Sequence, residues 1–160
     1  MYNTDKIRKG ALPLWQYWYR KANKCPNIVN RLIYRTVKFL WHIEIPYSTR
    51  IGKGLYVGHP FCITINPNAT IGDNCNIHKG VTIGQENRGK RTGVPTIGNC
   101  VWIGINSTIV GNINIGDDVL IAPNTFVNID IPSHSIVFGN PCIVKHKDDA
   151  TEGYINNKVK

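Results

Sequence analysis

The sequence predicts an all-β solenoid in which short parallel strands wind into stacked triangular coils behind a short α-helical segment. Three observations point to it. A branched apolar residue recurs every six positions between Ile45 and Val127. Glycine follows that residue at Gly52, Gly58, Gly72, Gly84, Gly98, Gly104 and Gly116. A small or apolar residue falls four places after it, as at Thr49, Leu55, Ala69, Cys75, Val81, Ser107, Val119 and Thr125. Neither a 3.6-residue helix nor a two-residue strand alternation yields such a period.

Residues 1–42 stand apart from this pattern. They hold Trp15, Trp18 and Trp41, three of the four tryptophans. Leu14 to Lys24 reads as a short aromatic-rich helix. Pro26 to Leu40 reads as a second, with Pro26 in the first turn, where a missing N–H is harmless. Ile28, Val29, Leu32, Ile33, Val37 and Leu40 form its expected apolar stripe, against Asn30, Arg31, Tyr34, Arg35 and Lys38. The plain reading is a cap that packs on the main domain or on a sister subunit. The sharper one is a basic surface helix in contact with a membrane or a lipid-linked glycan.

The solenoid is expected over residues 43–146. Its repeat runs through Ile45, Ile51, Val57, Ile65, Ile71, Ile77, Ile83, Ile97, Ile103, Ile109, Ile115, Ile121 and Val127. Three six-residue units make one coil, and the branched residues stack inward coil upon coil. Each buried Ile contributes roughly 1.5–3 kcal/mol, so the stack can supply a core without helix packing. Glycine, Asn and Asp suit corners that need positive φ.

Two interruptions break the period. Two residues are inserted around His59-Pro60-Phe61-Cys62, and a long polar loop, Gln85 to Val94, separates Ile83 from Ile97. A long loop in a regular solenoid usually carries function. The tail, residues 147–160, reads as polar and loose.

Composition bounds the function. The formal net charge is +9, which favours anionic partners, but no Arg-rich or aromatic nucleic-acid motif accompanies it, so no nucleic-acid partner is expected. Five cysteines without a C-x-x-C pair argue against a disulfide framework or a structural zinc site. The first ten residues lack the apolar stretch of a signal peptide, and no apolar run spans a bilayer. The expected compartment is the cytoplasm.

The repeat, the stretch Ile51-Gly52-Lys53-Gly54-Leu55-Tyr56-Val57-Gly58-His59, the phrase Gly80-Val81-Thr82-Ile83-Gly84 and the ending Gly139-Asn140-Pro141-Cys142 together resemble hexapeptide-repeat acetyltransferases. The serine O-acetyltransferase branch, with its relatives that acetylate sugars for surface polysaccharides, is the nearest. The resemblance implies a left-handed β-helix, an exception to the usual right-handed crossover. It also implies homotrimers, open to pairing as dimers of trimers, with active sites in the clefts between subunits.

An alcohol needs a base to take its proton as it attacks a thioester, and histidine suits the task near neutral pH. The resemblance puts His59 at the catalytic position. A carboxylate that holds the second ring nitrogen improves such a base; the serine acetyltransferases use an aspartate fifteen residues earlier, and here that position is Glu44. His78 is a candidate for the acceptor cleft, otherwise an exposed corner. Arg91 on the long loop is a second candidate acceptor contact. His59 and His78 lack a third histidine for a metal site, so no metal is expected. By resemblance acetyl-CoA, the co-substrate, lies along Gly84, Gly104-Ile105 and Ala122-Pro123; its phosphates favour cations, which Lys145 or the Arg88, Lys90 and Arg91 loop can provide. Cys62 is read as packing, because family members transfer the acetyl group directly.

The expected activity is therefore acetyl transfer from acetyl-CoA to a hydroxyl. Serine-specific members carry an aspartate before the catalytic histidine and an Arg-His pair near the end of the long loop. Here those positions are Gly58, Gly93 and Val94. Their absence favours a sugar or polysaccharide precursor, with L-serine as the alternative and a non-catalytic β-helical scaffold as the rival from another class.

Overall fold

In the computed structural model, residues 14–156, 158 and 159 are described. Helices α1 (Leu14–Lys24) and α2 (Ile28–Leu40) come first. The first coil follows with β1 (Ile43–Glu44), β2 (Arg50–Ile51) and β3 (Tyr56–Gly58), and the second with β4 (Ile63–Ile65), β5 (Thr70–Ile71) and β6 (Asn76–His78). The third holds β7 (Thr82–Gly84), β8 (Thr96–Ile97) and β9 (Trp102–Ile103); the fourth holds β10 (Thr108–Val110), β11 (Asn114–Ile115) and β12 (Val119–Ile121). Then come β13 (Phe126–Val127), β14 (Ser135–Phe138) and β15 (Ile143–His146). Every third strand pairs in parallel. Sheet A runs β1-β4-β7-β10-β13, sheet B runs β2-β5-β8-β11, and sheet C runs β3-β6-β9-β12-β14 before the antiparallel β15. The result is a left-handed β-helix of about five turns.

Each sheet buries one isoleucine ladder. Ile65, Ile83, Ile109 and Val127 stack in sheet A. Ile51, Ile71, Ile97 and Ile115 stack in sheet B. Val57, Ile77, Ile103, Ile121 and Val137 stack in sheet C. Of the thirteen repeat positions only Ile51 is half-exposed; the others are buried, as are the small residues four places on.

The corner glycines serve a purpose other than the expected one. A Cβ on Gly72 would stand 2.5 Å from the Gly98 carbonyl oxygen, and one on Gly98 would stand 2.4 Å from Asp117 Oδ1. Close approach of the next coil excludes the side chain there. Positive φ falls two residues later, at Asn74 (56°), Cys100 (53°) and Asp118 (53°). A side-chain ladder ties this corner together: Asp73 accepts from Lys53 N at 2.9 Å, Asn99 from Asp73 N at 2.8 Å, and Asp117 from Asn99 N at 2.6 Å.

The helices close the open end of the solenoid. The first coil has no preceding coil to receive its carbonyls, and buried unpaired carbonyls are costly. Gln16 Nε2 donates to Leu55 O at 3.0 Å, Tyr19 Oη to Thr49 O at 2.7 Å, and Tyr34 Oη to Ile45 O at 2.6 Å. Arg20 donates to Ile51 O at 2.6 Å and to Gly52 O.

This task explains why α2 is rotated from the expected orientation. Tyr34 and Asn30, assigned to the polar face, are buried, while Ile28, Val29, Leu32 and Leu40 from the apolar stripe are more than half exposed. The coil end demands donors, and donors sit on the face that the hydrophobic pattern had assigned to solvent. The helix also starts later than expected. Asn27 is its N-cap and accepts from Asn30 N at 2.9 Å, so Pro26 precedes the cap rather than opening the first turn.

The tail is not loose. Beyond β15 the chain returns across sheet C, burying Ala150, Thr151 and Ile155. Asp118 accepts from Ala150 N at 2.9 Å, Thr151 N at 3.0 Å and Thr151 Oγ1 at 2.6 Å. Asn76 Nδ2 donates to Tyr154 O at 3.1 Å.

Candidate active site

Two corners of the prism flank sheet A. In the corner from sheet C to sheet A, Gly58 on β3 pairs with His78 on β6. Gly104 and Ala122 follow the paired Ile103 and Ile121, and so stack in the same column. The chain thus brings Gly58, His78, Gly104, Ile105, Ala122 and Pro123 to one edge, and His59 follows Gly58 on the bulge beside it. A Cβ on Gly104 would stand 2.5 Å from Pro123 N, and Asn124 N donates to Ile105 O at 2.9 Å. Small residues and tightly layered backbone leave this edge low enough for an extended ligand to lie against it.

His59 is displaced from that edge by the two inserted residues. Its φ is 53°, a left-handed conformation that costs a non-glycine residue roughly 1–2 kcal/mol. Its ring is exposed. Strain of this kind clusters at working sites.

Glu44 lies on β1 in sheet A and pairs with Thr64, whose Oγ1 donates to Glu44 Oε2 at 3.4 Å. Among the described residues no hydrogen bond or ion pair joins Glu44 to His59. Glu44 instead lines a groove of about 860 Å³ with Lys38, Phe39, His42 and Cys62. Cys62 was expected to pack; it is exposed, with φ 53°, because the insertion turns it outward.

His78 is a half-buried wall rather than a bare corner. Its ring centroid lies 4.7 Å from that of Trp102, which in turn meets Tyr154 of the tail at 5.0 Å. Trp102 and Tyr154 carry no site motif in the sequence. The six-residue step from Trp102 to its neighbours marks an outward position, but only the returning tail reveals what covers it.

The other corner, from sheet A to sheet B, carries Gly84 and the long loop. Gly84 pairs with Val110. Glu86 and Gly93 exchange backbone hydrogen bonds at 2.9 Å across the loop base, and Asn112 N donates to Arg91 O at 2.9 Å. Arg91 sits at the end of a 3-10 turn, Gly89–Arg91, with its side chain exposed. Lys145 is on β15, its Nζ 5.7 Å from the Phe138 ring centroid. Among the described residues no three His, Cys, Asp or Glu side chains group closely enough to hold a metal ion.

The chemistry available is that of an exposed imidazole beside a smooth, backbone-lined edge. Such a pair suits proton removal from a hydroxyl next to an extended, amide-rich ligand.

Residues 95–128 match the family described as bacterial transferase hexapeptide (six repeats). The chain is 34% identical over 120 residues to a serine acetyltransferase of Helicobacter pylori, covering 75% of this chain and 70% of that protein. It is 36% identical over 148 residues to a serine acetyltransferase of Staphylococcus aureus, covering 90% of this chain and 68% of that one. Among solved structures, soybean serine acetyltransferase without ligand aligns with a TM-score of 0.72 at 28% identity, covering 82% of this chain. The Neisseria gonorrhoeae serine acetyltransferase aligns with a TM-score of 0.69 at 28% identity, covering 85%. The chain spans 56% and 53% of the lengths of those two structures.

Proposed function

The chain belongs to the serine acetyltransferase family of hexapeptide-repeat transferases, and on that premise we propose that it moves an acetyl group from acetyl-CoA to a hydroxyl by direct transfer. His59 accepts the hydroxyl proton as the oxygen attacks the thioester carbonyl, and returns it to the CoA thiolate as the C–S bond breaks. Glu44 orients the imidazole once the cleft is assembled and the ligand draws the two together; apo sites often leave such contacts long. The pantetheine arm lies along Gly104, Ile105, Ala122 and Pro123. The observation that carries this reading is the corner column of Gly58, His78, Gly104 and Ala122, with His59 the next residue of the chain after Gly58.

Gly84 and Arg91 lie at the other corner of sheet A. One acetyl-CoA molecule that touches both corners fits a cleft between two copies better than a single prism. This supports a homotrimer, with the loop of one copy facing His59 of the next and Lys145 as a further candidate for the phosphates.

L-serine is the first acceptor to test, because the relatives reported above are serine acetyltransferases by name. The sugar expected from the sequence takes second place, kept by one specific observation. Of the three positions where charged partners of serine were expected, Gly58 and Gly93 take no side chain without displacing a neighbour. A Cβ on Gly58 would stand 2.5 Å from His78 Nδ1, and one on Gly93, whose φ is 135°, would stand 2.9 Å from Asn112 Cβ. A serine zwitterion would then need other partners for its charged ends.

Thiol release from acetyl-CoA, assayed with L-serine and with a panel of nucleotide sugars, tests both. Turnover with serine alone establishes the first reading. Turnover with a sugar alone establishes the second. Release with neither leaves a scaffold that kept the fold and lost the chemistry.

A further inference from the structure

The cap that seals the solenoid exposes an apolar face with no partner among the described residues. Ile28, Val29, Leu32, Phe39 and Leu40 of α2 are each more than half exposed. They fall on one side of a helix about 20 Å long. Phe61, also more than half exposed, extends the patch toward His59 through His42, whose ring centroid is 5.1 Å from that of Phe61 and 6.2 Å from that of Phe39. Isolated exposed apolar residues are ordinary, but a contiguous set of this size marks an interaction surface.

Charge identifies the partner. Residues 1–42 carry nine of the nineteen Lys and Arg residues and one of the ten Asp and Glu residues, so nearly all of the net charge of +9 lies in this part of the sequence. Neither described helix contains an acidic residue. Arg31, Arg35 and Lys38 border the apolar face. Two such faces paired about a two-fold axis would set these cations against each other. An anionic surface would instead satisfy both the apolar face and its basic border. No helix is long and apolar enough to cross a membrane among the described residues, which leaves the geometry of a helix lying in the interface plane.

We propose that α2 docks this chain on an anionic lipid surface, with Ile28, Leu32, Phe39 and Leu40 inserted among the acyl chains and Arg31, Arg35 and Lys38 at the headgroups. The proposal does not depend on the acetyl-transfer reading, and its test uses no turnover.

The test is cosedimentation of the full chain with vesicles of phosphatidylcholine containing roughly a third phosphatidylglycerol, compared with phosphatidylcholine alone. Binding is expected with the anionic vesicles and is expected to weaken at high salt. Arg35→Gln with Lys38→Gln is expected to reduce the partition coefficient roughly 20-fold or more, at about fivefold per cation. Phe39→Ser with Leu40→Ser is expected to reduce it roughly tenfold or more, with an unchanged oligomeric mass by light scattering. Equal pelleting with both vesicle types, or none, overturns the proposal. So does a change of mass in the Phe39/Leu40 variant, which would make the face a subunit interface. Displacement of the vesicles by equimolar duplex DNA would assign the charge to nucleic acid instead.

Discussion

The space that a side chain at Gly58 would need is filled by His78, whose Nδ1 lies 2.5 Å from the position of the missing Cβ. The two residues face each other on adjacent strands of sheet C, one step before His59. Neither can change size independently. Gly58→Asp alone is expected to destabilise the protein by about 1–3 kcal/mol, as overpacking does. Adding His78→Ala is expected to recover most of that loss, measured by denaturant midpoint. A single variant as stable as the parent would show that the ring swings away freely. The double variant also probes acceptor choice: a lower KM for L-serine is expected if a carboxylate at position 58 can hold the ammonium group.

His59 separates stability from activity. Its left-handed backbone is easier for glycine, so His59→Gly should leave the melting temperature unchanged or raise it. The same substitution should reduce turnover roughly 10²–10⁴-fold by removing the base. A fall of less than threefold would remove His59 from the proposed mechanism.

Asp118 clamps the tail, and its titration sets where the clamp fails. Burial opposes its charge, but hydrogen bonds from the Thr151 hydroxyl, Thr151 N, His134 and Ala150 N outweigh this and hold the carboxyl below its usual 3.8. A group with a depressed folded pKa stabilises the protein fully above its unfolded value and loses that contribution as pH falls through the folded one. Tail docking should therefore be constant above about pH 5 and weaken below about pH 4. Trp102 fluorescence, quenched or restored as Tyr154 leaves, would follow it. Asp118→Asn should free amide exchange at residues 150–155 already at neutral pH, and protection unchanged in this variant would count against the clamp.

Tyr34 tests the cap. Its hydroxyl is buried and donates to Ile45 O. Tyr34→Phe leaves that carbonyl at the end of the solenoid without its donor, at an expected cost of about 1–3 kcal/mol. Tyr154→Phe, at a more exposed tyrosine whose ring contact with Trp102 the change retains, serves as the comparison and should change stability by less than about 0.5 kcal/mol.

The solenoid was legible in the sequence because its cause is local and repeated. A buried ladder position must be branched and apolar, and a corner pressed against the next coil must lack a Cβ, so Ile71-Gly72 and Ile97-Gly98 announce themselves at a fixed spacing. Both helices were legible for a similar reason. The orientation of α2 was not, because a hydrophobic stripe assumes an apolar destination, whereas the solenoid end required the hydroxyl of Tyr34 and the amide of Gln16.

By itself, the sequence determined the period, the coil, the two interruptions and the identity of His59 as the residue on the first bulge, since each follows from chemistry within a few neighbours. Only the tertiary structure decided which residues meet across coils. It placed His78 in the space beside Gly58, set Gly84 and His59 on different corners, and brought a polar tail back onto Asp118. These contacts join residues many positions apart, where pairing depends on the closure of whole turns and leaves no mark on local composition.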